Sequence, residues 1–186
     1  MIPRIALVLG VVFAASESLL GRATYRPGGH KGTDRGTLPL MIALTTVAAG
    51  GAFAAWYFGF GRVPQPLWLG AVGLLVFGCG VALRWWAILS LRGHFTINVT
   101  ALAEHRLVTA GPYRLLRHPA YTGTLLSLCG LGLAVGNALS LVLLVGFPLV
   151  ALLIRMRVEE AMLESVFGED YLAYRQRTWR LVPGIF

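Results

Sequence analysis

The sequence predicts an all-α integral membrane protein with about five transmembrane helices and a C-terminal cytosolic amphipathic helix. Of its 186 residues, 56% are hydrophobic and only 13% are charged, whereas soluble domains contain about 25% charged residues. The hydrophobic residues form long continuous runs, and lipid admits only helices or closed barrels. Runs without period-two alternation indicate helices, and the length suits one domain, residues 1–186.

Five apolar segments approach the roughly 20 residues that a helix needs to cross the hydrocarbon core. We place them at about residues 5–20, 38–60, 67–91, 119–135 and 139–154. The first three form an N-terminal half, residues 1–91, and a polar connector opens the second half, residues 92–186. Only residues 136–138 separate the last two segments, so we expect them to form a tight antiparallel hairpin.

Beyond the fifth span the chain becomes amphipathic. After Arg155, residues Val158, Met162 and Val166 share one helical face. Gly168 is a helix stop signal, and a further amphipathic turn or two follows it.

Small residues recur in the third and fourth spans, where they allow helices to approach closely. They are Gly70, Gly73, Gly78, Gly80, Gly123, Ser127, Gly130 and Gly132. We interpret them as packing residues and not as cofactor contacts.

Lys and Arg residues are distributed unequally between the two ends of the spans. Five spans place Arg4 and Arg62 on one side and 13 of the 16 basic residues on the other, with Arg84 inside the third span. Because cytoplasmic loops carry the excess of Lys and Arg, we predict an N-terminus outside and a C-terminus in the cytosol. The net charge of +8 follows from these flanking residues, so we expect no nucleic-acid partner.

Two local features have competing interpretations. Arg4, the apolar stretch after it and the small residues at 14–16 also suit a signal peptide, but the basic loop that follows favours a retained first span. Cys79 and Cys129 each lie in an apolar run without a nearby His, Cys or acidic residue. We therefore expect both cysteines to be small buried residues, and we expect neither a disulfide nor a metal site.

The densest polar cluster lies where the fourth span begins. Tyr113, Arg117, His118 and Tyr121 fall within nine residues. Because Pro119 is favoured at the first helical position, His118 is expected to cap the helix, whose positive end suits a carboxylate-bearing ligand. The alternative is a basic stop before a span, with Tyr121 in the interfacial aromatic belt.

Arg155 and Glu159 form the second polar cluster, at the end of the fifth span. Their i, i+4 spacing places them on one helical face, where the simplest interpretation is an internal ion pair. Ionisable residues at membrane depth are costly and usually functional. Because the hairpin returns them to the level of His118 and Tyr121, we predict that the two clusters meet at the membrane face.

These motifs resemble those of the isoprenylcysteine carboxyl methyltransferase family over roughly residues 98–186. The matching segments are Gly111-Pro112-Tyr113, Arg117-His118-Pro119-Ala120-Tyr121-Thr122-Gly123, residues 155–160, Phe167-Gly168-Glu169-Asp170-Tyr171 and Tyr174. The resemblance implies an integral membrane methyltransferase with S-adenosylmethionine as cofactor and a lipophilic or lipidated substrate. It also implies that residues 92–186 form the cofactor-binding catalytic half.

The same resemblance implies roles for individual residues. Arg155 holds the substrate carboxylate as the catalytic residue, and Glu159 binds the cofactor. The other implied cofactor contacts are Asn98, His105, Arg106, Leu107, Val108, Tyr113, His118, Pro119, Ala120 and Tyr121.

Carboxyl O-methylation fits these residue types. A carboxylate is already ionised and a sulfonium methyl already activated, so alignment and exclusion of water suffice, and Arg can bind a carboxylate through two parallel hydrogen bonds. An amine acceptor needs a proton acceptor, for which Glu160 and His118 are candidates. The alternatives are methylation of a phospholipid amine or of a small phenol or thiol, a reductase related to sterol reductases, and a non-catalytic membrane scaffold.

Overall fold

The computed structural model describes residues 1–24, 36–91 and 107–186, and within these ranges the secondary structure is helical. A short 3-10 turn, Gly111–Arg114, precedes the fourth helix. The helices are α1 (Ile2–Thr24), α2 (Thr37–Phe58), α3 (Leu67–Ser90), α4 (Pro119–Val135), α5 (Ala138–Phe167) and α6 (Glu169–Gln176).

The five predicted apolar helices are all present. Of the described helices, α1, α2, α3 and α5 are long and apolar enough to cross a membrane, and α4 has 17 residues, the lower limit of about 17–25 residues for a span. α5 runs for 30 residues, so the amphipathic stretch after Arg155 continues the fifth span without a break. Gly168, at φ 51°, ends α5 as predicted, and α6 follows.

The hairpin of α4 and α5 lies at the centre of the fold. α4 packs against α1, α3 and α5, while α2 packs along α5. Gly136 turns the chain with a left-handed φ of 70°, and Asn137 Oδ1 accepts from the backbone N–H of Ser140 at 2.8 Å. This tight turn confirms the predicted hairpin, and it returns the second half of α5 to the start of α4.

Glycines bring the backbones of α3 and α4 into contact. A Cβ added to Gly80 lies 2.4 Å from the backbone nitrogen of Ser127, and one added to Gly130 lies 2.3 Å from that of Phe77. Neither position has room for a side chain, so the predicted packing role is confirmed there. At Gly78 no described atom lies within 4 Å of an added Cβ, and the prediction is wrong for that residue.

The outer faces of the helices are apolar, as lipid contact requires. Val12, Val47 and Leu75 are 59%, 57% and 67% exposed. Cys79 shares this outward position and is exposed, while Cys129 is half-buried. The prediction that both cysteines are buried is wrong, because Cys79 lies on the side of α3 that turns away from α4.

Candidate active site

The first turn of α4 fixes His118 and Tyr121. His118 is the N-cap of the helix and Pro119 is its first residue, as predicted. The His118 and Tyr121 rings stack, with centroids 5.3 Å apart and planes inclined by 9°. The two stacked rings therefore form a flat aromatic wall. Within it the His118 side chain is almost fully buried.

Tyr121 connects Arg155 and Glu159, two of the charged residues of α5. Arg155 Nε donates to the Tyr121 hydroxyl at 3.0 Å, and that hydroxyl donates to Glu159 Oε2 at 2.7 Å. His118 Nδ1 lies 3.8 Å from the same carboxylate oxygen, and Arg155 Nη1 donates to Thr37 Oγ1 of α2 at 3.2 Å. The predicted meeting of the two clusters is confirmed, with Tyr121 between Arg155 and Glu159.

Glu160 binds a second set of partners. Its Oε1 accepts from Arg117 Nε at 3.2 Å and from Arg180 Nε at 3.0 Å, and His118 Nε2 lies 3.1 Å from the same oxygen. Arg180 Nη2 also bonds to Oε2, and this contact with Glu160 raises the pKa of Arg180 above its ordinary value. The two ring nitrogens of His118 therefore face the two neighbouring carboxylates, and the ring orientation is fixed.

The chain after α6 is hydrogen-bonded to the loop before α4. The backbone N–H of Arg117 donates to the Trp179 carbonyl at 2.7 Å, and that of His118 donates to the Arg180 carbonyl at 3.2 Å. Trp179 N–H donates in return to the Leu115 carbonyl at 2.9 Å. The C-terminal segment thus holds the backbone of His118, and its Arg180 side chain binds the same Glu160 oxygen that the His118 ring faces.

Tyr113 and Tyr174 join the 3-10 turn to α6. The Tyr174 hydroxyl donates to the carbonyls of Tyr113 and Leu116, at 2.8 and 3.3 Å. Burial raises the pKa of Tyr113 well above its usual value and that of Tyr174 to about 12. Both phenols are therefore neutral hydrogen-bonding groups at physiological pH.

A cavity of about 1300 Å³ opens from this cluster into the helical bundle. Its polar end carries Glu17, Arg84, His118, Tyr121, Arg155 and Glu159. The remainder is mostly apolar, with walls from α1, α2 and α5 that include Phe13, Trp56 and Leu144. This lining suits a ligand with a polar head and an apolar body.

The other predicted cofactor contacts fall into three groups. Four of them line the cavity: Leu107, Val108, Tyr113 and Ala120. Pro119 is fully buried at the start of α4 and is missing from the described residues that line the cavity. Three lie outside the described residues: Asn98, His105 and Arg106.

Sequence reasoning missed Glu17, Arg84 and Arg180 as partners in this region. Arg84 donates to both carboxylate oxygens of Glu17, and Arg180 binds Glu160. A signal for the first pair existed, because Glu17 is the one acidic residue of the first apolar run and Arg84 the one charged residue of the third. Opposite charges in two spans indicate a pair, whereas no comparable pattern marks Arg180.

Comparison with known proteins gives a consistent result. A family model described as phospholipid methyltransferase (PEMT) matches residues 68–170. Protein-S-isoprenylcysteine O-methyltransferase B of Arabidopsis thaliana is 32% identical over 126 residues, which is 67% of this chain and 64% of that protein. Cobalt-zinc-cadmium resistance protein CzcN of Cupriavidus metallidurans is 34% identical over 125 residues, 64% of this chain and 50% of that protein.

A solved structure is also similar. The eukaryotic intramembrane Ras methyltransferase ICMT (isoprenylcysteine carboxyl methyltransferase) matches with a TM-score of 0.61 and 28% identity, over 79% of this chain and 53% of that chain. The chain thus spans between half and two thirds of the length of these three proteins. Because the family model matches more than half of the chain, the protein belongs to the phospholipid methyltransferase family of membrane proteins, and its resemblance to the isoprenylcysteine carboxyl methyltransferases is confirmed.

Proposed function

We propose that the protein transfers a methyl group from S-adenosylmethionine to the carboxylate of a lipid-like, isoprenylcysteine-like acceptor. The observation that carries the proposal is the hydrogen-bonded chain Arg155–Tyr121–Glu159 at the polar end of an apolar cavity. The relatives named protein-S-isoprenylcysteine O-methyltransferase support this class of acceptor.

The polar end of the cavity fits a sulfonium donor. Glu159 lines the cavity with a side chain 30% exposed, and a carboxylate attracts the cationic groups of such a donor. The stacked rings of His118 and Tyr121 offer an aromatic face, which also attracts cations. S-adenosylmethionine, held by these residues, supplies an electrophilic methyl group.

Arg155 fits the head of the acceptor. It lines the same cavity, and its bonds to Tyr121 and Thr37 orient the guanidinium in advance. Because a bound carboxylate would already be ionised and the donor would supply an activated methyl group, methyl transfer would move no proton and would need no base.

The surroundings of Glu160 favour a carboxylate acceptor over an amine. An amine acceptor must give up a proton. Of the two candidates to receive it, His118 faces carboxylates with both ring nitrogens, and the other is Glu160. Arg117, Arg180 and His118 already bind its oxygens, and hydrogen bonds to the charged form make a carboxylate a weak base.

The distribution of basic residues supports a cytosolic site. We infer that the N-terminus is outside and the C-terminus in the cytosol, because 13 of the 16 Lys and Arg residues fall on the side of the C-terminus. The donor, a soluble charged molecule, then reaches the site from the cytosol and the lipophilic acceptor from the bilayer.

Two measurements on the purified protein in detergent test the proposal. Calorimetric titration is expected to show saturable binding of S-adenosylhomocysteine and none of NADPH; the opposite result points to a reductase and overturns the proposal. A radiolabelled-methyl assay is expected to label a farnesylcysteine analogue and not its carboxamide. Label on phosphatidylethanolamine alone identifies an amine methyltransferase and refutes the carboxyl assignment.

A further inference from the structure

A partly buried ion pair joins α1 to α3 beside the proposed site, the Glu17 side chain being 25% exposed. Arg84 of α3 is 7% exposed, and its Nε and Nη2 donate to the two carboxylate oxygens of Glu17 on α1. This is the two-bond arrangement in which Arg and a carboxylate orient each other most strictly. Both residues lie within apolar helices, where an ionised side chain is costly and rarely without a function.

The same guanidinium holds the first turn of α4. Arg84 Nη1 donates to the Ala120 carbonyl at 3.2 Å and to Thr124 Oγ1 at 2.9 Å. Ala120 directly precedes Tyr121, whose hydroxyl joins Arg155 to Glu159. One cation therefore connects the acidic residue of α1 to the backbone that carries the centre of the site.

Helix packing at this level transmits the position of Arg84 to α4. A Cβ added to Gly123 lies 2.6 Å from the backbone nitrogen of Arg84 and 2.7 Å from the carbonyl oxygen of Gly80. The two backbones are thus in direct contact two residues from Tyr121. Because close-packed interiors transmit small shifts, a displacement of Arg84 moves the first turn of α4.

We propose that Glu17 and Arg84 are positioning residues for methyl transfer. Glu17 orients Arg84, and Arg84 fixes the turn that holds the Tyr121 hydroxyl between Arg155 and Glu159. The inference rests on the proposed function for its kinetic consequence, but not for its structural one. Stability alone does not require the pair, because well-packed apolar residues of similar volume can replace a buried ion pair at little cost.

The test compares four full-length variants with the wild-type protein. The double variant Glu17→Met/Arg84→Met removes both charges and restores apolar packing, and Arg84→Lys keeps the charge but loses the two-bond geometry. Glu17→Asp keeps the carboxylate and is the conservative variant. Glu164→Gln is the matched control. It breaks an ion pair with Arg175 that lies at the surface, where each side chain is 47% exposed.

Two readouts separate positioning from simple stabilisation. With 3-fluorotyrosine incorporated, the ¹⁹F resonance of Tyr121, assigned by its loss in Tyr121→Phe, is expected to shift in the double variant and in Arg84→Lys, but not in Glu164→Gln. In the methyl-transfer assay we expect kcat to fall at least about tenfold in the first two variants, the acceptor KM to change less than about threefold, and Glu17→Asp to recover part of kcat.

The outcomes distinguish this inference from the proposed function. If the wild-type protein transfers no methyl group, the proposed function fails, and the Tyr121 resonance alone decides on positioning. If the double variant folds with a wild-type Tyr121 resonance and wild-type kcat, the pair is only structural and the inference is overturned. Should the double variant not fold, Arg84→Lys gives the same two readouts, and unchanged values in both refute the inference.

Discussion

Glu160→Ala removes a buried carboxylate that three side chains bind at once. Arg117, Arg180 and His118 approach its Oε1 at 3.2, 3.0 and 3.1 Å. The Glu160 side chain is only 6% exposed, and those of Arg117 and Arg180 are 11% and 20% exposed. Without the carboxylate, two guanidinium groups remain in a region that little water reaches.

The size of the effect follows from this burial. Loss of one partner of a buried ion pair costs about 3–5 kcal/mol, since the other charge is left uncompensated. Arg180 can still reach water, so we expect the lower end, about 3 kcal/mol of unfolding free energy. For a chain of this length that corresponds to a fall in Tm of roughly 6–12 °C.

Thermal unfolding in one detergent, followed by circular dichroism, measures this change. Glu164→Ala is the matched control, because its ion pair with Arg175 is exposed, with 3.8 Å between the charged atoms, and such pairs contribute about 0–1 kcal/mol. Glu160→Gln keeps the shape and one acceptor oxygen, and is expected to fall between the two. Equal Tm values for Glu160→Ala and Glu164→Ala refute the reasoning.

Four further substitutions test the packing and the site. Gly80→Ala is expected to lower the unfolding free energy by about 1–3 kcal/mol through overpacking. Gly78→Ala, with open space around it, is expected to leave it unchanged or raise it by up to about 1 kcal/mol, because Ala is the better helix former; equal Tm values for the two variants contradict the α3–α4 contact. Tyr174→Phe loses the bonds to two backbone carbonyls and is expected to cost about 1–3 kcal/mol in the same unfolding assay; an unchanged Tm contradicts it. Tyr121→Phe is expected to lower kcat at least about tenfold in the methyl-transfer assay, with little change in Tm. A wild-type kcat would show that methyl transfer does not depend on the Tyr121 hydroxyl.

The outline of the fold could be predicted because it depends on local signals. Continuous apolar runs fix the helices, and a connection of three residues forces α4 and α5 into a hairpin. The convergence of His118, Tyr121, Arg155 and Glu159 followed from that hairpin alone. No knowledge of how the remaining helices pack was needed to predict it.

Contacts that depend on helix rotation could not be predicted. Gly78 and Gly80 are two residues apart, about 200° around a helix, so only one of them can face α4, and the sequence does not say which. The partners of Glu160 could not be predicted either, because Arg117 and Arg180 lie 43 and 20 residues away along the chain. Neither spacing has a periodicity that sequence reasoning can detect.

Titration of S-adenosylhomocysteine into Glu159→Ala and Arg155→Lys tests most directly whether α4 and α5 build one site with separate donor and acceptor groups. We predict that Glu159→Ala raises the donor Kd at least about tenfold, whereas Arg155→Lys changes it less than about threefold and still lowers kcat at least about tenfold on a carboxylate acceptor. A wild-type Kd for Glu159→Ala, or full activity for Arg155→Lys, contradicts this assignment of the two residues.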